Sequence, residues 1–142
     1  MTSSGRRRWD ESSFFEDAEA KLEARDLEAL RRLYEYGQSG RYEMKWGSGG
    51  KKGSFGLVRA DVCPRTFVTA VSNGRLWVNF GWLKGTEAAE RFRDHLHGVI
   101  TKKLGLPLPK DQHFAVIKSQ EWRDKVDDLL SALDELRTLS LE

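Results

Sequence analysis

Apolar residues recur along this chain in two rhythms, and the change between them divides it into three parts. From Phe15 to Tyr36 they return every three or four positions, which is the period of an α-helix. Phe15, Ala18 and Leu22 form one stripe, and Leu30, Leu33 and Tyr34 a second, slightly out of phase. The phase slip predicts a break near Arg25, with Asp26 placed to cap the second piece. Ser13 followed by Glu16 fits a capping box at the start, and Gly37 and Gly40 supply the stop.

From Tyr42 to Trp82 the period shortens to two. Runs at 42–46, 54–60, 66–71 and 75–82 read as strands, separated by glycine, proline and asparagine. Asn73-Gly74 is a strong hairpin signal, since both residues tolerate positive φ. On the fourth run Leu76, Val78, Phe80 and Trp82 share one face, and Arg75, Trp77 and Asn79 share the other. The first set is expected to meet helices and the second to meet solvent or a partner.

The helical period then returns. Thr86 caps a helix with Phe92, Leu96, Val99 and Ile100 on its buried stripe, and Gly105 ends it. Leu106-Pro107-Leu108-Pro109 is a rigid connector. Residues 113–118 read as a fifth, edge strand. Ser119 caps a last helix carrying Trp122, Val126, Leu129, Leu130, Leu133 and Leu136 at helical spacing. The whole predicts an α+β fold: a four- or five-stranded, mainly antiparallel sheet covered on one face by N-terminal and C-terminal helices. Residues 1–11 read as a flexible basic lead and 12–142 as one α+β domain.

Composition narrows the classes. With 142 residues the chain makes one domain, and its five Trp, seven Phe and three Tyr provide for one sizeable core. No apolar stretch follows Arg6-Arg7-Arg8, and Asp10, Glu11, Glu16 and Asp17 come instead, which argues against a secretory signal. No run approaches the roughly 20 apolar residues that span a bilayer. Cys63 is the single cysteine, so no disulfide forms within the chain. A cytoplasmic protein that does not engage membranes is expected.

The net charge of +2 hides an asymmetry. Residues 40–85 hold eight basic side chains (Arg41, Lys45, Lys51, Lys52, Arg59, Arg65, Arg75 and Lys84) against two acidic ones, Glu43 and Asp61. Both flanking stretches are slightly acidic. The sheet is thus the basic part of the molecule.

Enzyme motifs are weak. The loop Gly47-Ser48-Gly49-Gly50-Lys51-Lys52-Gly53-Ser54 can offer backbone N–H groups to an anion. It lacks the lysine followed by Ser or Thr of a Walker loop, and a strand rather than a helix follows it. Gly53-Ser54-Phe55-Gly56-Leu57-Val58 echoes a kinase glycine loop without the remaining kinase motifs. Glu43-Met44-Lys45 matches the E-x-K element of restriction-type nucleases, with Asp61 or Glu35 as the second acid. His95, His97 and His113 show no metal-ligand spacing, and Cys63 has no activating base nearby in sequence. No catalytic residue, cofactor or metal is therefore assigned.

Trp46-Gly47-Ser48-Gly49, then Gly53-Ser54-Phe55, then the strand entered through Asn73-Gly74 and running to Phe80, resembles a pattern of uncharacterised bacterial domains. The pattern is W-G-[ST]-G followed by G-S-F, and the likeness covers residues 28–138, including Trp122. Gly50 and a second lysine in the loop depart from it. Such domains occur alone or beside DNA-processing and restriction-type proteins. The resemblance implies a DNA-related setting and no particular activity.

Together these features point to a non-catalytic nucleic-acid-binding or accessory module, with DNA or RNA as partner. Lys45, Lys51, Lys52, Arg59, Arg75 and Trp77 are its expected contact residues. Lysine and arginine would neutralise phosphates, and an exposed indole would stack on a base. The alternatives are a protein-interaction domain, with homodimerisation as one form, and a metal-dependent nuclease using Glu43 and Lys45.

Overall fold

In a computed structural model, which describes residues 9–47, 52–109 and 113–139, the two rhythms become two layers. Five strands, β1 (Glu43–Trp46), β2 (Ser54–Val58), β3 (Val68–Val71), β4 (Leu76–Val78) and β5 (Ala115–Ile117), form one antiparallel sheet. Their spatial order is their order in the chain. The N-terminal helices α1 (Glu11–Lys21) and α2 (Ala24–Gln38) and the later α3 (Glu87–Leu104), α4 (Ser119–Trp122) and α5 (Val126–Arg137) make the helical layer.

Alternation decides which face is covered. Phe55, Leu57, Val68, Ala70, Leu76, Val78, Ala115 and Ile117 are buried on the inner side. An aromatic group of Phe14, Tyr34, Trp46 and Phe55 fills the junction of α1, α2 and the first strands, with ring centroids 5.1–5.8 Å apart. Phe92, Leu96, Ile100 and Leu104 of α3 pack with Leu129, Leu133 and Leu136 of α5 in the same core.

The ends of α3 are as the sequence predicts. Thr86 Oγ1 accepts from the Ala89 N–H at 3.0 Å, and Gly105 closes the helix at φ 67°. Elsewhere the structure corrects the reading. Asp10, not Ser13, caps α1: its carboxylate accepts from the Ser13 N–H at 2.8 Å, and Ser13 Oγ accepts from the Asp10 N–H at 3.0 Å. The fold also begins before the expected boundary, because Trp9 is buried and its N–H donates to the Gly47 carbonyl at 3.2 Å. Arg6, Arg7 and Arg8 lie outside the described residues.

At the β3–β4 hairpin only Gly74 takes positive φ, at 89°. Its N–H donates to the Val71 carbonyl, and the Val71 N–H donates to Arg75, so the turn closes with a glycine bulge rather than a two-residue loop. β4 stops at Val78, and Phe80–Trp82 forms a 3₁₀ turn. That turn carries Trp82 off the inner face, where alternation had placed it, to a half-exposed position. The last helix is likewise interrupted by a 3₁₀ turn at Arg123–Lys125. Leu130 is only partly buried on α5, and Leu133 holds the central place.

Among the described residues, no helix is long and apolar enough to cross a membrane.

Candidate functional site

The sheet face opposite the helices carries the side chains that β-alternation points outward. The register links Lys45 to Gly56, Gly56 to Thr69, Thr69 to Trp77 and Trp77 to Val116, one row across all five strands. Arg75 and Lys118 flank one end of the β4–β5 ladder, next to the Leu76–Ile117 pair, and Asn79 and Phe114 flank the other, next to Val78–Ala115.

Part of this face is covered by the loop that joins β2 to β3. Lys45 Nζ donates to the Pro64 carbonyl at 2.9 Å. Thr66 lies over Gly56, where a Cβ would stand only 2.7 Å from that of Thr66, so this contact requires glycine. The Asn79 amide donates to Thr66 O at 3.2 Å and Thr69 Oγ1 at 3.0 Å. Asn79, expected to meet solvent or a partner, is therefore buried beneath the loop.

Beyond the loop, aromatic rings reach the surface. Trp77 stacks on Phe114 with centroids 4.6 Å apart and planes 13° from parallel. His113 stands edge-on to Phe114 at 6.3 Å and to Trp82 at 6.5 Å. The Arg65 guanidinium lies over the Trp82 ring, 5.4 Å from its centroid. Phe114 and Val116 are the large apolar side chains most open to solvent among the described residues, at 37% and 38%.

Charge pairing differs between the two layers. Arg31 meets Glu11, Arg32 meets Asp127, Arg41 meets Asp134 and Arg123 meets Asp26 in the helical layer. Lys45, Lys52, Arg65, Arg75 and Lys118 are exposed, and among the described residues none of their side chains forms an ion pair.

Of the residues singled out from sequence, Lys45, Arg75 and Trp77 come together on the open face, and Lys52 sits in the loop at its Arg75 end. Lys51 lies outside the described residues. Arg59 is set apart. Its guanidinium donates to Leu136 O at 3.0 Å and Leu139 O at 2.8 Å, satisfying carbonyls left open at the end of α5, and it pairs with Asp61 at 3.1 Å. It serves the helical layer rather than the open face.

Sequence reasoning did not select Arg65, Trp82, His113, Phe114 and Lys118. A signal for two of these lay in the fifth run, where Phe114 and Lys118, with Val116 between them, alternate with the apolar pair Ala115 and Ile117.

Glu43 and Lys45 do share the open face, but Asp61 is engaged by Arg59 and Glu35 belongs to α2 in the helical layer. Among the described residues no three His, Cys, Asp or Glu side chains are grouped to hold a metal ion, which weakens the nuclease reading. Cys63 is buried with its Sγ 3.4 Å from the Trp82 carbonyl, and His97 Nε2 lies 2.9 Å from the Leu108 carbonyl. Both are occupied in packing.

No family model, curated protein or solved structure matches this chain.

Proposed function

We propose that this protein is a non-catalytic nucleic-acid-binding or accessory module whose contact surface is the open face of its sheet. The observation that carries this reading is that Arg75 and Lys118 flank the same end of the β4–β5 ladder, both exposed and neither side chain in an ion pair among the described residues. Like charges held close on neighbouring strands repel one another. A polyanion laid over them removes that repulsion and gains the release of its counterions. Lys45, Lys52 and Arg65 extend the positive surface on either side, and Trp77 lies within it.

The test is binding of labelled DNA and RNA, single- and double-stranded, at two salt concentrations. The expected result is an affinity that falls steeply with salt and is lost in the double variant Arg75→Glu, Lys118→Glu. Absence of salt-sensitive binding to all four probes overturns the proposal.

Self-association is the second reading. Phe114 and Val116 are exposed beside β5, an edge strand without a charge between Ala115 and Ile117, whereas the other edge, β1, carries Glu43 and Lys45. A concentration-dependent mass in sedimentation that Val116→Lys abolishes would support it.

A further inference from the structure

We infer that the open face selects unpaired nucleic-acid strands, and that their bases lie along the run of rings formed by Trp77, Phe114, His113 and Trp82. This rests on the nucleic-acid reading above and names its substrate class.

Each ring in the run touches the next. Trp77 and Phe114 are nearly parallel at 4.6 Å, and His113 then joins Phe114 to Trp82 at 6.3 and 6.5 Å. The run crosses three separate elements: β4, the entry to β5 and the 3₁₀ turn after β4. Ordinary core packing would bury such a group. Here Phe114 and His113 are exposed and both indoles are half-exposed.

Cations stand at both ends of the run. Arg75 and Lys118 flank Trp77 at one end, and Arg65 lies on Trp82 at the other. A chain with a charge on every unit and an apolar, flat group beside each charge matches this order. An unpaired nucleic-acid strand has that composition, and its bases are free to stack on aromatic side chains. A duplex keeps its bases stacked on one another, so it can use the cations but not the rings. A protein partner would need to bring acidic groups to both ends and an apolar centre between them. The unbalanced positive charge along the run favours the polynucleotide.

Stacking has a sequence consequence. Every base has a π-face, so discrimination among sequences should be slight and discrimination between single and double strands large.

The experiment uses the full chain with fluorescein-labelled oligothymidine, oligouridine and a blunt DNA hairpin closed by a non-nucleotide linker, with anisotropy and tryptophan quenching read together. Phe114→Ala removes an exposed ring, so the variant should fold, and its circular dichroism should match that of the parent chain. It is expected to weaken both single strands roughly 5- to 100-fold and to leave the hairpin within about twofold. Single strands should also quench the tryptophans of the parent chain, and the hairpin should not. Equal loss for hairpin and single strands in Phe114→Ala, or quenching by both alike, overturns the inference while leaving the wider reading intact. If no probe binds, both fall. If the parent chain binds only after dissociating from a dimer that Phe114→Ala abolishes, the rings belong to self-association and the inference falls.

Discussion

Trp122 donates its indole N–H to the carbonyl oxygen of Gly74 at 2.8 Å, which ties the first turn of α4 to the tight turn between β3 and β4. The two residues lie in different parts of the chain, and the bond is buried. Replacing Trp122 with Phe leaves the Gly74 carbonyl without its donor. The expected cost is about 1–3 kcal/mol for the unmet buried group, before any loss of packing. Urea denaturation should show a lower midpoint with an unchanged slope.

Leu96 and Leu133 are fully buried at the contact of α3 with α5, whereas Leu130 is only partly so. Truncation of Leu96 or Leu133 to Ala should cost about 2–5 kcal/mol each, and Leu130→Ala distinctly less. Equal costs at all three positions, measured by the same denaturation assay, would show the core to be centred elsewhere.

Asp26 is buried and pairs with Arg123 at 3.1 Å, while Arg123 Nε has no partner. Asp26→Ala leaves that guanidinium only the exposed Glu23 carboxylate, 3.8 Å away, and should lower Tm. Removing both charges, in Asp26→Ala with Arg123→Leu, should recover part of the loss, because an unmatched charge costs more than an absent pair. A double variant no more stable than Asp26→Ala contradicts this.

All three tyrosines are held above the usual phenol range. Burial is the main cause for each, reinforced by Glu11 beside Tyr34 and by the Asp134 hydrogen bond at Tyr36. The Tyr36 hydroxyl donates to Asp134 at 2.7 Å and the Tyr42 hydroxyl to Leu133 O at 2.7 Å. A raised folded value means the native state keeps these protons more tightly. Their contribution to stability is whole below about pH 10, the ordinary phenol value, and is lost as pH climbs from there. Phenolate absorbance should therefore stay low above pH 10 and appear together with alkaline unfolding. A phenolate signal preceding the loss of circular dichroism would contradict it.

The two classes of cation should separate in one assay. Lys45→Ala and Lys52→Ala should each make the salt dependence of nucleic-acid binding shallower by about one unit or less, with little change in stability. Arg59→Ala should lower stability, through the freed carbonyls of Leu136 and Leu139, and leave the salt slope as it was. A changed slope in Arg59→Ala would return that residue to the contact surface.

Features set by short-range chemistry were legible in the sequence. Thr86 and Gly105 frame α3 because a cap acts within one turn, and the strand alternation placed Arg75 and Trp77 on one face. Asp10 was missed because Ser13 is an equally good capping residue three positions on, and only the helix's true first turn separates them. The ring run was harder to see. Trp77 and Phe114 are 37 positions apart in the chain. Their contact depends on β5 returning beside β4 after α3, which no local rhythm encodes. Trp82 reaches the run only because β4 ends early in a 3₁₀ turn, against the alternation that extended it.

The strict chain order of the sheet governs when this surface can exist. β1 to β4 can pair as they leave the ribosome, each against its predecessor. β5 comes only after the eighteen residues of α3 and the connector that follows. Until then β4 is a bare edge, and Trp77 lacks the ring it stacks on. A nascent or prematurely terminated chain that stops before Phe114 carries Arg75 and Trp77 but not the surface they belong to. Synthesis of β5 therefore acts as the licensing step for any partner that needs both strands.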